Sequence, residues 1–247
     1  MHSPTYLFVS DLHLDGRLPA AVTQFLAFLT GPALDAEGLY ILGDLFEAWV
    51  GDDDPEPTRS RVCDALRQYT ATGRPCYVVR GNRDFLFGGG FEARTGCQLL
   101  PDPVLVSFGS VRLFVSHGDV LCTDDHAYQE LRSIVRRPAF QSRFVALPLA
   151  VRRAIADAAR RGSKAHTGRV KYTVMDVNPE AVVAGFRASG TRLMVHGHTH
   201  RPGIHAVDVD GAPATRIVLG DWYEQGSCLR ISADGTYALD TLTRADA

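Results

Sequence analysis

The chain has no Cys-x-x-Cys pair. Its five cysteines, Cys63, Cys76, Cys97, Cys122 and Cys228, form an odd and scattered set. That excludes a disulfide framework and a zinc knuckle, and it fits a reducing cytoplasm. No N-terminal segment has the basic start and apolar core of a signal peptide. No stretch reaches the roughly 18 apolar residues of a membrane span. The expectation is a protein neither exported by that route nor membrane-spanning. Internal repeats and low-complexity segments are also missing. At 247 residues, 45% hydrophobic and 22% charged, the chain can bury a sizeable core without staples. It suits one large α/β domain or a domain with an inserted lobe.

Basic residues are concentrated in one region. From Glu130 to Lys171 there are eleven Lys/Arg and two acidic residues, a local +9 against −11 elsewhere. The overall charge of −2 hides this division. Arg132, Arg136, Arg137, Arg143, Arg152, Arg153, Arg160 and Arg161 are interleaved there with Phe140, Phe144, Val145, Leu147, Leu149 and Val151. The bland reading is a pair of amphipathic helices with solvated cations. Nucleic-acid binding is disfavoured because only Phe140 and Phe144 are available in its middle for stacking on bases.

Before that region, strands alternate with helices. Thr5–Ser10, Leu39–Leu42 and Cys76–Val79 read as strands. Pro19 and Pro57 open helices that stop at Gly31-Pro32 and Gly73. Val104–Phe108 and Val111–Ser116 flank Gly109-Ser110 as a hairpin. After it, Asn178-Pro179 caps a helix running to about Gly190, and Leu193–Val195 is a short buried strand. The remainder reads as Ile204–Val209, Thr215–Leu219, Leu229–Ser232 and Tyr237–Leu242, with turns at Asp210-Gly211 and Asp234-Gly235. The segment from Leu45 to Asp54 is a loop, its Asp52-Asp53-Asp54 run expected to be a solvated turn. The whole is a layered α/β chain.

The chemistry collects at strand ends, where open α/β sheets carry their ligand sites. Asp11 and His13, Asp44, Asn82, His117, and His198 and His200 each follow an apolar strand. Any one alone has a dull explanation, since Asp and Asn favour turns. Seven residues of metal-ligand type in five places would need five coincidences. Carboxylates, an amide and imidazoles without thiolate suit a six-coordinate ion such as Mn²⁺ or Fe²⁺. Seven ligands are too many for one ion that must also admit water and substrate. Two ions about 3.5–4 Å apart, sharing a carboxylate, fit hydrolysis of a phosphate ester or anhydride.

Asp11-x-His13, Gly43-Asp44, Gly81-Asn82, His117 and Gly197-His198-Thr199-His200, in this order, resemble the calcineurin-like metallophosphoesterase superfamily. The resemblance implies a four-layer α/β fold of two packed mixed sheets flanked by helices. It assigns Asp11, His13, Asp44 and His200 to one ion and Asp44, Asn82, His117 and His198 to the other. Most of the superfamily has His after Gly-Asn; this chain has Arg83. Gly81-Asn82-Arg83-Asp84, the Gly43–Asp53 segment, Met175-Asp176-Val177-Asn178 and His198-Thr199-His200-Arg201-Pro202 are similar to the bacterial UDP-2,3-diacylglucosamine diphosphatases within it.

That narrower resemblance implies a single domain over 1–247 with a helical cap inserted at about 124–171. It implies two divalent ions, Mn²⁺ by preference, and a lipid-linked nucleotide sugar as substrate, split at its diphosphate in lipid A biosynthesis. Asn82, Arg83 and His117 would be catalytic, Arg83 because its planar fork binds phosphoryl oxygens. Its alternative is a surface salt bridge to Asp84. Asn82, Arg83, Asp125, Tyr128, Ser163, Thr167 and His198 would bind substrate. Two positions depart from the family: Thr167 stands where Asn is expected and Val170 where Lys is, leaving Lys164, Arg169 or Lys171 to supply the cation. The cap's apolar faces would wall a chamber for acyl chains, its cations facing phosphates or anionic lipid. The expected location is the cytoplasmic face of the inner membrane, peripherally bound, with no nucleic acid and no obligate protein partner. The rivals are another dinuclear phosphoesterase, a nucleotide pyrophosphatase or nuclease, and a non-catalytic scaffold on the same fold.

Overall fold

The structure, a computed structural model, describes residues 3–167 and 176–243; the side chains of 163–167 lie outside that description. Strands that are apolar at every position are buried on both faces. Such runs are β2 (Gly38–Leu42), β3 (Cys76–Val79) and, from Leu7 on, β1 (Thr5–Val9). They lie parallel, with Phe8 opposite Tyr40 and Tyr40 opposite Tyr77. The rings stack along this row, 4.6 and 4.7 Å between centroids. A short β4 (Gln98–Leu100) extends the sheet past β3. On the other edge, β10 (Gly226–Ser232) and β11 (Tyr237–Leu242) add antiparallel strands.

The second sheet contains β5 (Val104–Phe108), β6 (Val111–Ser116), β7 (Leu193–His196), β8 (Gly203–Val209) and β9 (Ala212–Val218). Their order is β5-β6-β7-β9-β8, with β6, β7 and β9 mutually parallel. Alternate side chains of each strand supply different apolar layers. Leu7, Val9, Leu39, Ile41, Cys76 and Val78 pack with α1 (Pro19–Thr30), α2 (Pro57–Ala71) and α3 (Gly89–Thr95). Phe8, Tyr40, Leu42 and Val79 instead meet Leu113, Val115 and Val195 between the sheets. Phe114 and Met194 point the other way, onto α7 (Pro179–Ser189). Helix, sheet, sheet, helix is the expected four-layer arrangement.

Between β6 and α7 stand α4 (His126–Val135), α5 (Pro138–Val145) and α6 (Leu149–Thr167). No residue of α4 or α5 is buried, although Phe144 of α5 packs against the first apolar cluster. Arginines of α4 and α6 dock the insert. Arg132 donates to Asp119 (2.9 Å) and Asp102 (3.2 Å), and Arg136 donates to the Gly81 carbonyl at 3.0 Å. Arg152 is buried, donating to Asp53 (2.8 Å) and the Val50 carbonyl (2.7 Å). Arg153 pairs with Asp54, and Arg160 Nε lies 3.3 Å from Glu47.

Two expectations are corrected here. The Asp52–Asp54 turn is solvated only at Asp53: Asp54 is buried between Arg59 and Arg153, and Asp52 accepts from Trp49 Nε1. Nor do the insert's cations all face outward; five of them dock it onto scaffold carboxylates and carbonyls. Part of the charge asymmetry is thereby met within the molecule, while Arg137, Arg143 and Arg161 stay exposed.

Candidate active site

The seven strand-end residues converge. Five of them, Asp11, His13, Asp44, His198 and His200, have φ between 48° and 69°. Apart from Asp210, they are the only non-glycine residues among those described with positive φ. L-residues adopt this left-handed region at a cost, and such strain gathers at functional sites. The strain aims side chains back over the strand ends. Neighbouring glycines make room: a Cβ on Gly81 would strike the Asp44 carboxylate, and one on Gly197 would strike Ser10 and Asp11.

His13 Nε2 and His200 Nε2 face each other at 3.2 Å. Behind them, His13 Nδ1 lies 3.0 Å from Glu47 and His200 Nδ1 3.2 Å from Asp221. A carboxylate thus stands beside the Nδ1 of each ring, the neighbour that commonly orients metal-bound histidines. Asp11 Oδ1 is 3.4 Å from His200 Nε2. Asp11, His13 and His200 thus form one donor cluster.

The second group surrounds Asn82. Its Oδ1 lies 2.9 Å from His117 Nε2 and 3.1 Å from His198 Nδ1. His117 Nδ1 donates to the Leu42 carbonyl (2.9 Å), which frees Nε2. Asp44 stands between the groups, one oxygen 3.8 Å from His13 Nε2 and the other 3.7 Å from His117 Nε2. That is the stance of a bridging carboxylate. Asp11 is also within reach of both groups, clustering with Asp44 and His117 as well.

These residues fit cations. Asp11 Oδ1 is buried without a hydrogen-bond partner. Burial opposes charge on Asp11, yet His200 and the other histidines hold its carboxyl well below the usual range. His200 is raised to about 10: burial works against the charge, and Asp11 and Asp221 outweigh it. His117 is likewise raised to about 9 by Asp44, Asp11 and Asp119 against its burial. Surplus negative charge draws protons where divalent cations would replace them. Burial, then the charge on His117, lowers His198 to about 4.

Arg83 does not bridge to Asp84. The buried Asp84 accepts from the backbone of Gly81 (2.8 Å) and Leu45 (2.7 Å), tying two ligand loops together. Burial and the nearby Asp44 raise it to about 7. Arg83 instead lines a cavity of about 290 Å³, with its Nε buried and without a hydrogen-bond partner. Asn82 and Tyr128 share that wall, while Leu131, Val135, Phe140, Phe144 and Ile155 make it apolar. Of the residues expected to wall a chamber, Phe140 and Phe144 do so. Val145, Leu147 and Val151 are exposed and, like Leu149, lie outside the lining.

Tyr128 stacks 5.9 Å from His198 and donates to Asp119 at 2.6 Å. Asp125 caps α4, accepting from the Tyr128 amide at 3.0 Å. The side chains of Ser163, Lys164 and Thr167, and all of Arg169, Val170 and Lys171, lie outside the described residues. Sequence reasoning overlooked Glu47, Asp119, Asp221 and Tyr223, whose ring stacks 5.0 Å from His13. Asp221 carried a usable signal: Leu219-Gly220-Asp221 repeats, after β9, the strand-Gly-Asp pattern of Asp44.

The fold and this cluster define a class. The family model for calcineurin-like phosphoesterases matches residues 4–202, and the chain belongs to that family. A UDP-2,3-diacylglucosamine hydrolase of Stenotrophomonas maltophilia (strain K279a) is 50% identical, covering 97% of this chain and 99% of its own. Similarly named proteins of Xanthomonas campestris pv. campestris (strain ATCC 33913) and Enterobacter sp. (strain 638) are 48% and 45% identical. They cover 94% and 93% of this chain, and 96% and 95% of their own lengths. A solved archaeal phosphodiesterase shares the fold, with TM-score 0.50 at 11% identity over 96% of this chain and 99% of its own.

Proposed function

We propose that this chain hydrolyses the phosphoanhydride of UDP-2,3-diacylglucosamine, releasing UMP and 2,3-diacylglucosamine 1-phosphate for lipid A assembly. The observation that carries the reading is the apolar cavity, which reaches from Asn82 and Arg83 at the ligand cluster to Phe140 and Phe144 under the inserted helices. Relatives of 45–50% identity bear the matching name. We assign Asp11, His13, Asp44 and His200 to one divalent ion and Asp44, Asn82, His117 and His198 to the other, with Mn²⁺ preferred on donor type. Bound there, two ions would supply Lewis acidity at the phosphoryl oxygens and make water acidic.

The chain's own residues do the rest. Leu42 O and the carboxylates of Glu47 and Asp221 fix the imidazoles. Arg83, its Nε lacking a hydrogen-bond partner, meets charge developing on the diphosphate. Tyr128 braces His198. The cap roofs the acyl chains, each CH₂ contributing about 0.8 kcal/mol when buried. We assign substrate contacts to Asp125, Ser163, Lys164 and Thr167 as well.

No described helix is long and apolar enough to cross a membrane. Exposed Leu131, Ile134, Val145, Leu147, Val151 and Ile155 share the insert with exposed Arg137, Arg143 and Arg161. That combination supports reversible docking on anionic lipid at the cytoplasmic face of the inner membrane. The test is turnover of diacylated against deacylated UDP-glucosamine. Strong preference for the diacylated form is expected; equal turnover overturns the reading.

A further inference from the structure

A second opening, of about 540 Å³, adjoins the ligand cluster. It starts at His200 and Asp221 and continues past Tyr223, Glu224 and Gln225 to Ser227. It shares no lining residue with the apolar cavity. Between the two, Tyr223 of the groove donates to Glu47 of the cavity at 3.4 Å. We propose that this groove is a nucleoside subsite, taking the ribose and uracil of the nucleotide half while the acyl half occupies the cavity. The inference rests on the proposed function above.

A substrate with two unlike ends on one diphosphate needs two unlike rooms beside the metal ligands. The apolar cavity cannot serve the nucleoside, whose hydroxyls and base edge would lose hydrogen bonds on burial there. The groove can. Its volume is that of an ordinary small-molecule site, about 300–1,000 Å³. Asp221 and Glu224 offer carboxylate oxygens to ribose hydroxyls, and the exposed Gln225 amide carries both donor and acceptor for a uracil edge. Tyr223 is 38% exposed and presents a ring for a base to stack on.

The charge points the same way. Among the described residues the groove's lining has no Lys or Arg and three acidic residues, Asp221, Glu224 and Asp240, the last paired with Arg230. Such a surface repels phosphate and suits an uncharged, hydroxyl-rich group. The cavity's lining, by contrast, includes Arg83, Arg132, Arg136 and Arg160. The phosphates therefore stay over the ligand cluster and only the nucleoside enters the groove.

The test uses the Mn²⁺-loaded protein and compares inhibition by UMP with inhibition by inorganic phosphate. Glu224 and Gln225 are exposed and play no part in the ligand cluster. Gln225→Ala and Glu224→Gln should each weaken UMP about five- to tenfold, the effect of one lost hydrogen bond. Phosphate inhibition and turnover of bis(p-nitrophenyl) phosphate should stay as in the parent protein, which also excludes misfolding. UMP binding no tighter than phosphate in the parent, or variants that shift both inhibitors equally or neither, would overturn the subsite. If the parent fails to turn over UDP-2,3-diacylglucosamine, the proposed function itself fails. If the parent turns it over and both variants match it in KM and UMP inhibition, only the subsite falls.

Discussion

Leu131 offers the sharpest test of the cap. It lines the cavity from α4 and is 54% exposed. Fully burying a leucine side chain contributes about 1.5–3 kcal/mol. Roughly half of that, about 1 kcal/mol, is still to be gained when an acyl chain covers Leu131. Leu131→Ala should therefore raise KM for the diacylated substrate about fivefold. Leu131→Asp costs more, because covering a carboxylate with hydrocarbon without a partner costs several kcal/mol. A rise on the order of 10²–10³ is expected for it. The fold should tolerate either change, since no residue of α4 is buried. Leu147→Asp is the control: the same chemistry in the same insert, but Leu147 is 37% exposed and outside the cavity lining. Assays in mixed micelles at fixed surface concentration separate acyl binding from membrane docking. Metal content and turnover of bis(p-nitrophenyl) phosphate should not move. Equal effects of Leu131→Asp and Leu147→Asp, or no effect of the former, would refute an acyl-lined cavity.

Asp44→Asn should lower metal content and hydrolysis together in a folded protein, measured by elemental analysis beside turnover; unchanged metal with full activity removes the shared-carboxylate arrangement. Arg83→Ala should cut kcat on the order of 10²–10³ with normal metal loading, as for loss of one preorganised donor; a change confined to KM would make Arg83 a binding residue only. Arg152→Ala strips the partner from the Val50 carbonyl and frees Asp53, at about 1–3 kcal/mol. Faster amide exchange in α6 than in β1–β3 is the expected signature, and uniform exchange throughout would count against an ionic pin.

The candidate ligands are readable because each follows a strand whose apolar run is unmistakable, and β3, β5 and β6 start and end where composition puts them. Less legible elements are short. The Gly89-Gly90 start of α3 and its burial of only Phe91 and Thr95 leave no helical period to read. The three residues of β4 are too few to alternate. The acidic partners of the cluster were hidden for another reason. Glu47 and Asp221 touch His13 and His200 through loops, and nothing local in a sequence announces which loop a carboxylate will lean on. Asp53 and Arg152 meet across 99 positions, so a run of aspartates looked solvated until its arginines were found.

The insert's composition now makes physical sense as one arrangement. A lid held by its own apolar core would bury the very faces proposed to receive acyl chains. Here the attachment is ionic: Arg132 and Arg136 grip Asp119, two residues past His117, while Arg160 meets Glu47, the carboxylate behind His13. Because charge holds the helices in place, their apolar side chains remain uncovered at Leu131 and Ile155 on the cavity side. Partly buried pairs of this kind contribute little net stability, since desolvation offsets their attraction, but they fix geometry. Two of the carboxylates that dock the insert, Asp119 and Glu47, thus stand beside the proposed metal ligands. Any shift of α4 or α6 is felt first at Asp119 and Glu47, and through them at His198, by way of Tyr128, and at His13.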